Sequence, residues 1–309
     1  IYLSFRPRAG INNLTYSLTD DRNPYEGRLN FDVKLENFTN IVKDSLLQNN
    51  DGRFKIEALL TKTSDTSRVY FNIWNIRPLN ETDFTKDFYV RLRNIYRWSH
   101  KSPVSYVLSL KLTNGEGYVF DHFRKTITIV DIFKNNNKLF VNEDETTLKG
   151  VTYLRSTDVK SDYESIENDI RNIKETGFNT IRFSKSIPHP YAVHLCQKYG
   201  LYALIELPLN SVPERFTDDP NFEKRVFSFL DRTIKYYDQY QNILAYGPGG
   251  SFLSSSESHA GFISRVSSFV KRNSNNKFSY VSSIGANDYK SFDTDLFGIE
   301  LFASRIAQF

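Results

Sequence analysis

Over the first 132 residues, hydrophobic and polar side chains alternate with a period of two. Leu29, Phe31, Val33 and Leu35 are separated by polar neighbours, the mark of a strand with one buried face, because successive strand side chains point to opposite sides. Similar runs cover 53–60, 68–76, 86–95, 104–112 and 118–130, divided by turn-rich stretches such as Asn49-Asn-Asp-Gly52 and Asn114-Gly-Glu-Gly117. Roughly seven short strands with this punctuation predict an antiparallel β-sandwich of immunoglobulin type over 27–132. Residues 1–26 read as its first strand, a linker strand, or the tail of a preceding domain.

After Asn135-Asn-Asn137 the period changes. Lys149–Arg155 reads as a short strand, and Tyr163, Ile166, Ile170 and Ile173 then recur at helical spacing, with Gly177 closing the helix. Thr180–Ser184 is strand-like, 190–199 helical, and Leu201–Leu209 a nearly continuous apolar run of the kind buried in parallel sheets. Helical patterns through Phe222, Val226, Phe229 and Tyr237, and through Phe262, Val266 and Phe269, alternate with strands at 243–246, 278–283 and 296–302. This β-α repetition predicts a parallel α/β domain over 133–309. It supplies about six strands where a closed (β/α)8 TIM-type barrel needs eight, so the expected barrel is incomplete.

Composition narrows the function classes. The chain has 309 residues, 39% of them hydrophobic and 15% aromatic, enough for packed cores. Its formal charge of +4 comes from 40 basic residues scattered among 36 acidic ones, with no basic run interleaved with aromatics, so nucleic-acid binding is not expected. Cys196 is the single cysteine, which excludes an internal disulfide and a cysteine zinc site. No apolar stretch approaches the length of a membrane span and no signal peptide is visible. With no methionine in the sequence, the chain reads as a piece of a longer protein or a record lacking its methionines.

Three segments resemble glycoside hydrolase family 2, the β-galactosidase and β-glucuronidase group. Trp98-Ser99 with Pro103 and Tyr106 is similar to that family's W-S-x-x-x-P-x-L-Y run. Phe123-Arg124, Leu139-Phe-Val-Asn142 and Leu148-Lys-Gly-Val151 resemble its junction between an immunoglobulin-like domain and a barrel. Most specific is the stretch from Asp169 to Leu209, where Asp169–Ser184 is similar to D-i-x-l-m-K-x-x-n-f-N-a-v-R-t-S, Leu195–Tyr202 to l-C-d-x-y-G-l-Y, and Glu206 falls on the glutamate of v-x-D-E. The resemblance implies a jelly-roll domain, an immunoglobulin-like domain and a (β/α)8 barrel. Residues 1–26 would be the tail of the first. It also favours a periplasmic or extracellular setting, with a membrane or envelope partner reached through segments outside the chain.

The resemblance implies retaining glycosidase chemistry, in which two carboxylates about 5 Å apart serve as acid/base and nucleophile. The family keeps its acid/base in I-I-x-W-S-L-G-N-E-S, and the matching run here is Ile243-Leu-Ala-Tyr-Gly-Pro-Gly-Gly-Ser-Phe252. The asparagine is replaced by Gly250 and the glutamate by Ser251, and a serine hydroxyl is far too weak an acid to protonate a leaving oxygen near neutral pH. No catalytic residue is therefore assigned, and the nucleophile is expected beyond Phe309. Glu257, six residues past Ser251, reads as a solvated glutamate near a helix N-terminus, where negative charge is favoured. Arg182, Glu206, Tyr246 and Glu300 are the candidate ligand-binding residues. For Arg182 and Glu206 the competing reading is an internal ion pair, since a carboxylate in an apolar strand needs a partner.

The family's histidine-rich run after its first barrel strand is Tyr153-Leu-Arg-Ser156 here, and the five histidines do not cluster, so no metal and no cofactor are expected. His189, in Pro188-His-Pro190, is expected to order its loop. Asn13, Asn37 and Asn80 begin N-x-T triplets, read as coincidental. The expectation is a family 2-like protein, catalytically inactive as it stands, with a glycan or oligosaccharide as ligand or an envelope-associated role. The alternatives are an active β-glycosidase whose nucleophile lies outside the chain and a purely structural module.

Overall fold

A computed structural model of the protein describes residues 10–20, 26–36, 54–76, 84–93, 95–154, 162–284 and 292–300. The turn at 49–52, the triplets at Asn37 and Asn80, and Arg155-Ser156 lie outside them. The chain forms two compact units, one of residues 1–98 with 104–129 and the other of 99–103 with 130–309.

The first unit holds β1 (Gly10–Asp20), β2 (Glu26–Glu36), β3 (Phe54–Lys62), β4 (Arg68–Ile76), β5 (Phe84–Arg93), β6 (Tyr106–Asn114) and β7 (Val119–Ile127). They make two antiparallel sheets, ordered β1-β2-β5 and β4-β3-β6-β7. Alternation explains which side chains go inside. Leu29, Phe31, Val33 and Leu35 of β2 and Phe54, Ile56, Ala58 and Leu60 of β3 are all buried and belong to one hydrophobic cluster fed by both sheets. Burying such side chains is worth roughly 1.5–3 kcal/mol each, which drives the two faces together.

In the second unit, β8 (Ile132–Asn135), β9 (Lys138–Val141) and β10 (Asp144–Glu145) form a small antiparallel sheet. Then follow β11 (Gly150–Tyr153), α1 (Tyr163–Glu175), β12 (Thr180–Phe183), α2 (Pro190–Tyr199), β13 (Tyr202–Asn210), α3 (Glu214–Thr217), α4 (Pro220–Tyr237), β14 (Ile243–Gly250), β15 (Phe252–Leu253), α5 (Glu257–Asn273), β16 (Phe278–Ile284) and β17 (Leu296–Glu300). Strands β11-β12-β13-β14-β16-β17 run side by side and parallel, with the short β15 also paired to β16. This is a half-barrel of six main strands with helices on one face, the partial TIM-type arrangement expected from the sequence.

Helix boundaries follow local chemistry. Asp162 caps α1 by accepting from the Ser165 amide, and after Thr176 the chain turns at Gly177 with φ +90°. Pro190 opens α2, with His189 as N-cap accepting from the Tyr191 amide, so His189 does order its loop. Gly200 closes α2 with φ +77°, and a Cβ there would lie 2.8 Å from the His100 carbonyl oxygen, so only glycine fits. Ile181, Phe183, Ala203, Ile205 and Leu207 face the helices and pack in one cluster with Ile166, Leu195, Leu230 and Val266. The opposite face of the same strands is left for polar groups.

One buried charge lies just before β16. Burial pushes the Lys277 ammonium down to about 8 against the pull of Asp238, and its Nζ is 3.4 Å from the Gln241 carbonyl oxygen. The unfolded chain keeps that proton up to its ordinary value of 10.5, so above pH 8 the unfolded state binds more protons than the folded one and stability rises with pH. We expect the urea unfolding free energy to climb between pH 8 and 9.5 by something on the order of 1 kcal/mol. Lys277→Met removes that climb, and an unchanged pH profile would contradict the assignment.

Candidate functional site

Arg182, in β12, points to the face of the sheet away from the helices, and so does Glu206 on the adjacent β13. The Glu206 carboxylate has no solvent contact, and the Arg182 side chain is 22% exposed. Arg182 Nε donates to Glu206 Oε1 at 2.6 Å and Nη2 to Oε2 at 3.1 Å. Burial raises the Glu206 carboxyl above its usual value, while these bonds and one to Ser184 pull it back. Burial also works against the Arg182 charge, but the Glu206 contacts outweigh it and lift the guanidinium above its usual value.

The pair is the inner end of a chain of hydrogen bonds. Arg182 Nη2 also donates to Ser282 Oγ on β16 at 2.9 Å, and Ser282 Oγ donates to Glu300 Oε1 on β17 at 2.7 Å. Glu300 then accepts from Ser251, from its amide on Oε1 at 2.9 Å and from its hydroxyl on Oε2 at 2.7 Å. Ser251 has φ +59°, a left-handed conformation uncommon for serine, and both its donors meet one carboxylate. Glu300 is partly buried, which would raise its carboxyl, but the Ser282 and Ser251 hydrogen bonds and the Arg182 charge bring it below its usual value. It is therefore a fixed carboxylate, the wrong state for a proton donor.

Gly250 explains why this network closes. A Cβ on it would stand 2.4 Å from Ser282 Oγ and 2.8 Å from both Arg182 Nη2 and Glu300 Oε1. No side chain fits there while those three groups are bonded to one another. Asn210, paired in register with Gly250, has a buried Nδ2 with no hydrogen-bond partner among the described residues. Tyr280 completes the cluster, its ring 5.7 Å from the Arg182 guanidinium carbon.

Of the four candidates from the sequence, Arg182, Glu206 and Glu300 come together and Tyr246 does not. Tyr246 is fully buried in the core with the helices. Its hydroxyl has no partner among the described residues, and burial, followed by the charges of Asp238 and Tyr237 at the end of α4, holds it well above its usual value. The cause is a register shift: Ala203 pairs with Ile243 but Leu204 with Ala245, so one extra residue in β14 turns Tyr246 toward the helices. Glu257 is exposed in the first turn of α5, behind the N-cap Ser256, as read for a solvated helix-start glutamate. Ser282, Asn210 and Tyr280 were missed. The run Phe278–Ser283 looks like any buried strand, and only the fold reveals that 280 and 282 share the face of Gly298 and Glu300. Among the described residues no group of three or more metal-ligating side chains occurs.

The second unit is thus a parallel half-barrel with charged groups toward the C-terminal ends of its strands. The chain belongs to the family described as glucanosyltransferase, whose model matches residues 119–291, more than half of the chain. It is also like glycoside hydrolase family 2. A β-galactosidase of Psychromonas ingrahamii is 24% identical over 161 residues, 50% of this chain and 16% of that protein. One of Lactococcus lactis is 26% identical over 202 residues, 63% and 20% of the two chains. In structure, a family 2 member of Bacteroides cellulosilyticus aligns with a TM-score of 0.74 over 98% of this chain and 41% of its own, at 14% identity. Bacteroides uniformis β-glucuronidase gives 0.75 over 96% and 37%, at 17% identity. The chain thus spans about a fifth or less of the length of these curated relatives. The family match and the family 2 likeness share the parallel α/β segment, and the solved structures extend the likeness across nearly the whole chain. The sequence reading did not foresee the glucanosyltransferase description.

The Arg182–Glu206 pair makes a sharp stability prediction. Arg182→Met leaves a solvent-free carboxylate without its cation and should cost about 3–5 kcal/mol in urea unfolding. The double variant Arg182→Met/Glu206→Leu should recover most of that loss, because a buried pair replaced as a whole is close to neutral. Strict additivity of the two single changes would show that the bond contributes little.

Proposed function

We propose that this chain is a family 2-like protein that binds glycan without cleaving it. The observation that carries the reading is the state of the carboxyl groups at the strand ends. Retaining cleavage needs one carboxyl that is protonated and can reach the glycosidic oxygen. Glu206 is the carboxyl raised by burial, but it has no solvent contact and both its oxygens are taken by Arg182. Glu300 is partly exposed, but it is held as a carboxylate. Ser251, at the acid/base position, has no acidic proton to offer. Transfer to a sugar hydroxyl passes through the same cleavage as hydrolysis, so the argument covers a glucanosyltransferase activity too.

The ligand site in this reading is the mouth around Arg182 and Glu300, with the buried Glu206 holding the Arg182 guanidinium in place and Tyr280 as an aromatic wall. Charged groups fix sugar hydroxyls by charge-assisted hydrogen bonds, and family resemblance points to the same end of the barrel. Tyr246 has no part in it. The strand orders β1-β2-β5 and β4-β3-β6-β7 support an immunoglobulin-type sandwich over about 27–132, with β1 joined to it and the barrel piece filling 133–309. An envelope-associated role belongs to the same reading.

Hydrolysis of nitrophenyl β-galactoside and β-glucuronide should be indistinguishable from a no-protein control, and Ser251→Ala should leave it so. Turnover that survives Ser251→Ala and disappears in Glu257→Gln would identify a displaced acid and end the non-hydrolysing reading.

A further inference from the structure

We infer that Glu300 sets the ligand class of the mouth, admitting uncharged sugars and rejecting uronates. The inference rests on the glycan-binding reading and adds a specificity to it. Its origin is the hydrogen-bond inventory of the network. A carboxylate offers about four acceptor sites. Glu300 uses two on Oε1, for the Ser251 amide and Ser282, and one on Oε2, for the Ser251 hydroxyl. One acceptor site on Oε2 is left. On the donor side, Arg182 commits Nε and Nη2 to Glu206 and Ser282, which leaves Nη1. Arg182 and Glu300 meet at Gly250, where a Cβ would lie 2.8 Å from an atom of each. One free acceptor on Glu300 beside the uncommitted Nη1 of Arg182 matches neighbouring hydroxyls of a sugar ring, one donating to Glu300 while the other accepts from Arg182.

Charge then chooses between sugars. The Arg182–Glu206 pair is internally neutralised, so the carboxylate of Glu300 is the unbalanced charge of the cluster. It is fixed in that form by three hydrogen bonds as well as by Arg182. A uronate would bring a second carboxylate to a site whose guanidinium is already committed, and like charges in a partly desolvated cleft repel. The exchange of the usual asparagine for Gly250 belongs to the same arrangement, since a Cβ there would strike Ser282, Arg182 and Glu300 at once.

The test is a ligand-observed NMR titration of the whole chain with methyl β-galactoside, methyl β-glucoside and methyl β-glucuronide. The expected result is binding of the two neutral glycosides, with the glucuronide weaker by about tenfold or more. In Glu300→Gln, which keeps the side-chain shape and an acceptor for Ser251, that gap should close to within about threefold, as removal of one charge predicts. Lys224→Ala, an exposed position on the outer helix α4, should keep the gap. Glucuronide binding as tight as the neutral sugars on the unaltered chain overturns the inference and leaves the glycan-binding reading intact. So does a gap that persists in Glu300→Gln. Failure of all three sugars to bind overturns both together. The measurement on the unaltered chain decides specificity even where the variant folds poorly.

Discussion

A carboxylate sealed inside a sheet must be neutralised where it stands, and in this protein the rest of the site is arranged around that need. Glu206 has no solvent contact, so its charge depends on the two hydrogen bonds from Arg182. Holding the guanidinium in that geometry fixes the direction of its remaining N–H groups, and one of them reaches Ser282. From there the order passes through Glu300 to Ser251, so residues from β12, β13, β16, β17 and the end of β14 are tied into one polar cluster. Each member satisfies its neighbour, which is what makes a buried network tolerable in place of an apolar filling.

The same geometry sets the two carboxyl groups apart from one another. Two carboxyl groups with opposite pKa displacements usually invite assignment as acid and base. Here the displacement has structural causes: Glu206 is raised because it is sealed from water, and Glu300 is lowered because serine donors and Arg182 surround it. A proton donor must be both protonated and able to reach the substrate, and neither group has both properties. Perturbed carboxyl groups are thus a signal of a polar site, and accessibility decides what the site can do.

Much of this was legible in the sequence because it rests on local rules. The alternation through Leu29–Leu35, the apolar run from Leu201, and the stop at Gly177 depend on periodicity and φ preference, and they predicted the strands and helices that form there. The Arg182–Glu206 pair was legible as one of two readings, since an ionised side chain amid apolar neighbours calls for a counter-charge. Tyr246 was not legible. Its direction turns on a one-residue bulge in Ile243-Leu-Ala-Tyr246, where every residue is apolar or aromatic and no pattern marks the extra one. Ser282 and Asn210 were hidden for a related reason: small polar residues in or beside a buried strand become informative only when strand register shows what they face.

Gly250 and Ser251 carry a further lesson about substitution at a site. Set against the family 2 resemblance alone, glycine and serine at positions where asparagine and glutamate are expected look like simple loss. With Glu300 included, the three positions form one solution to a packing problem. The carboxylate from β17 needs room where a side chain at 250 would project, and it needs donors, which Ser251 supplies from both backbone and hydroxyl. A glutamate at 251 would bring a second carboxylate toward the first and remove the hydroxyl that the first now uses, so like-charge repulsion and a lost hydrogen bond would act together. A glutamate placed at 251 by itself therefore works against the network that Ser251 now completes. The mouth keeps a negative charge at the end of β14, but that charge comes from a different strand and is fixed in its ionised form. Such a group is an acceptor of hydrogen bonds and not a donor of protons.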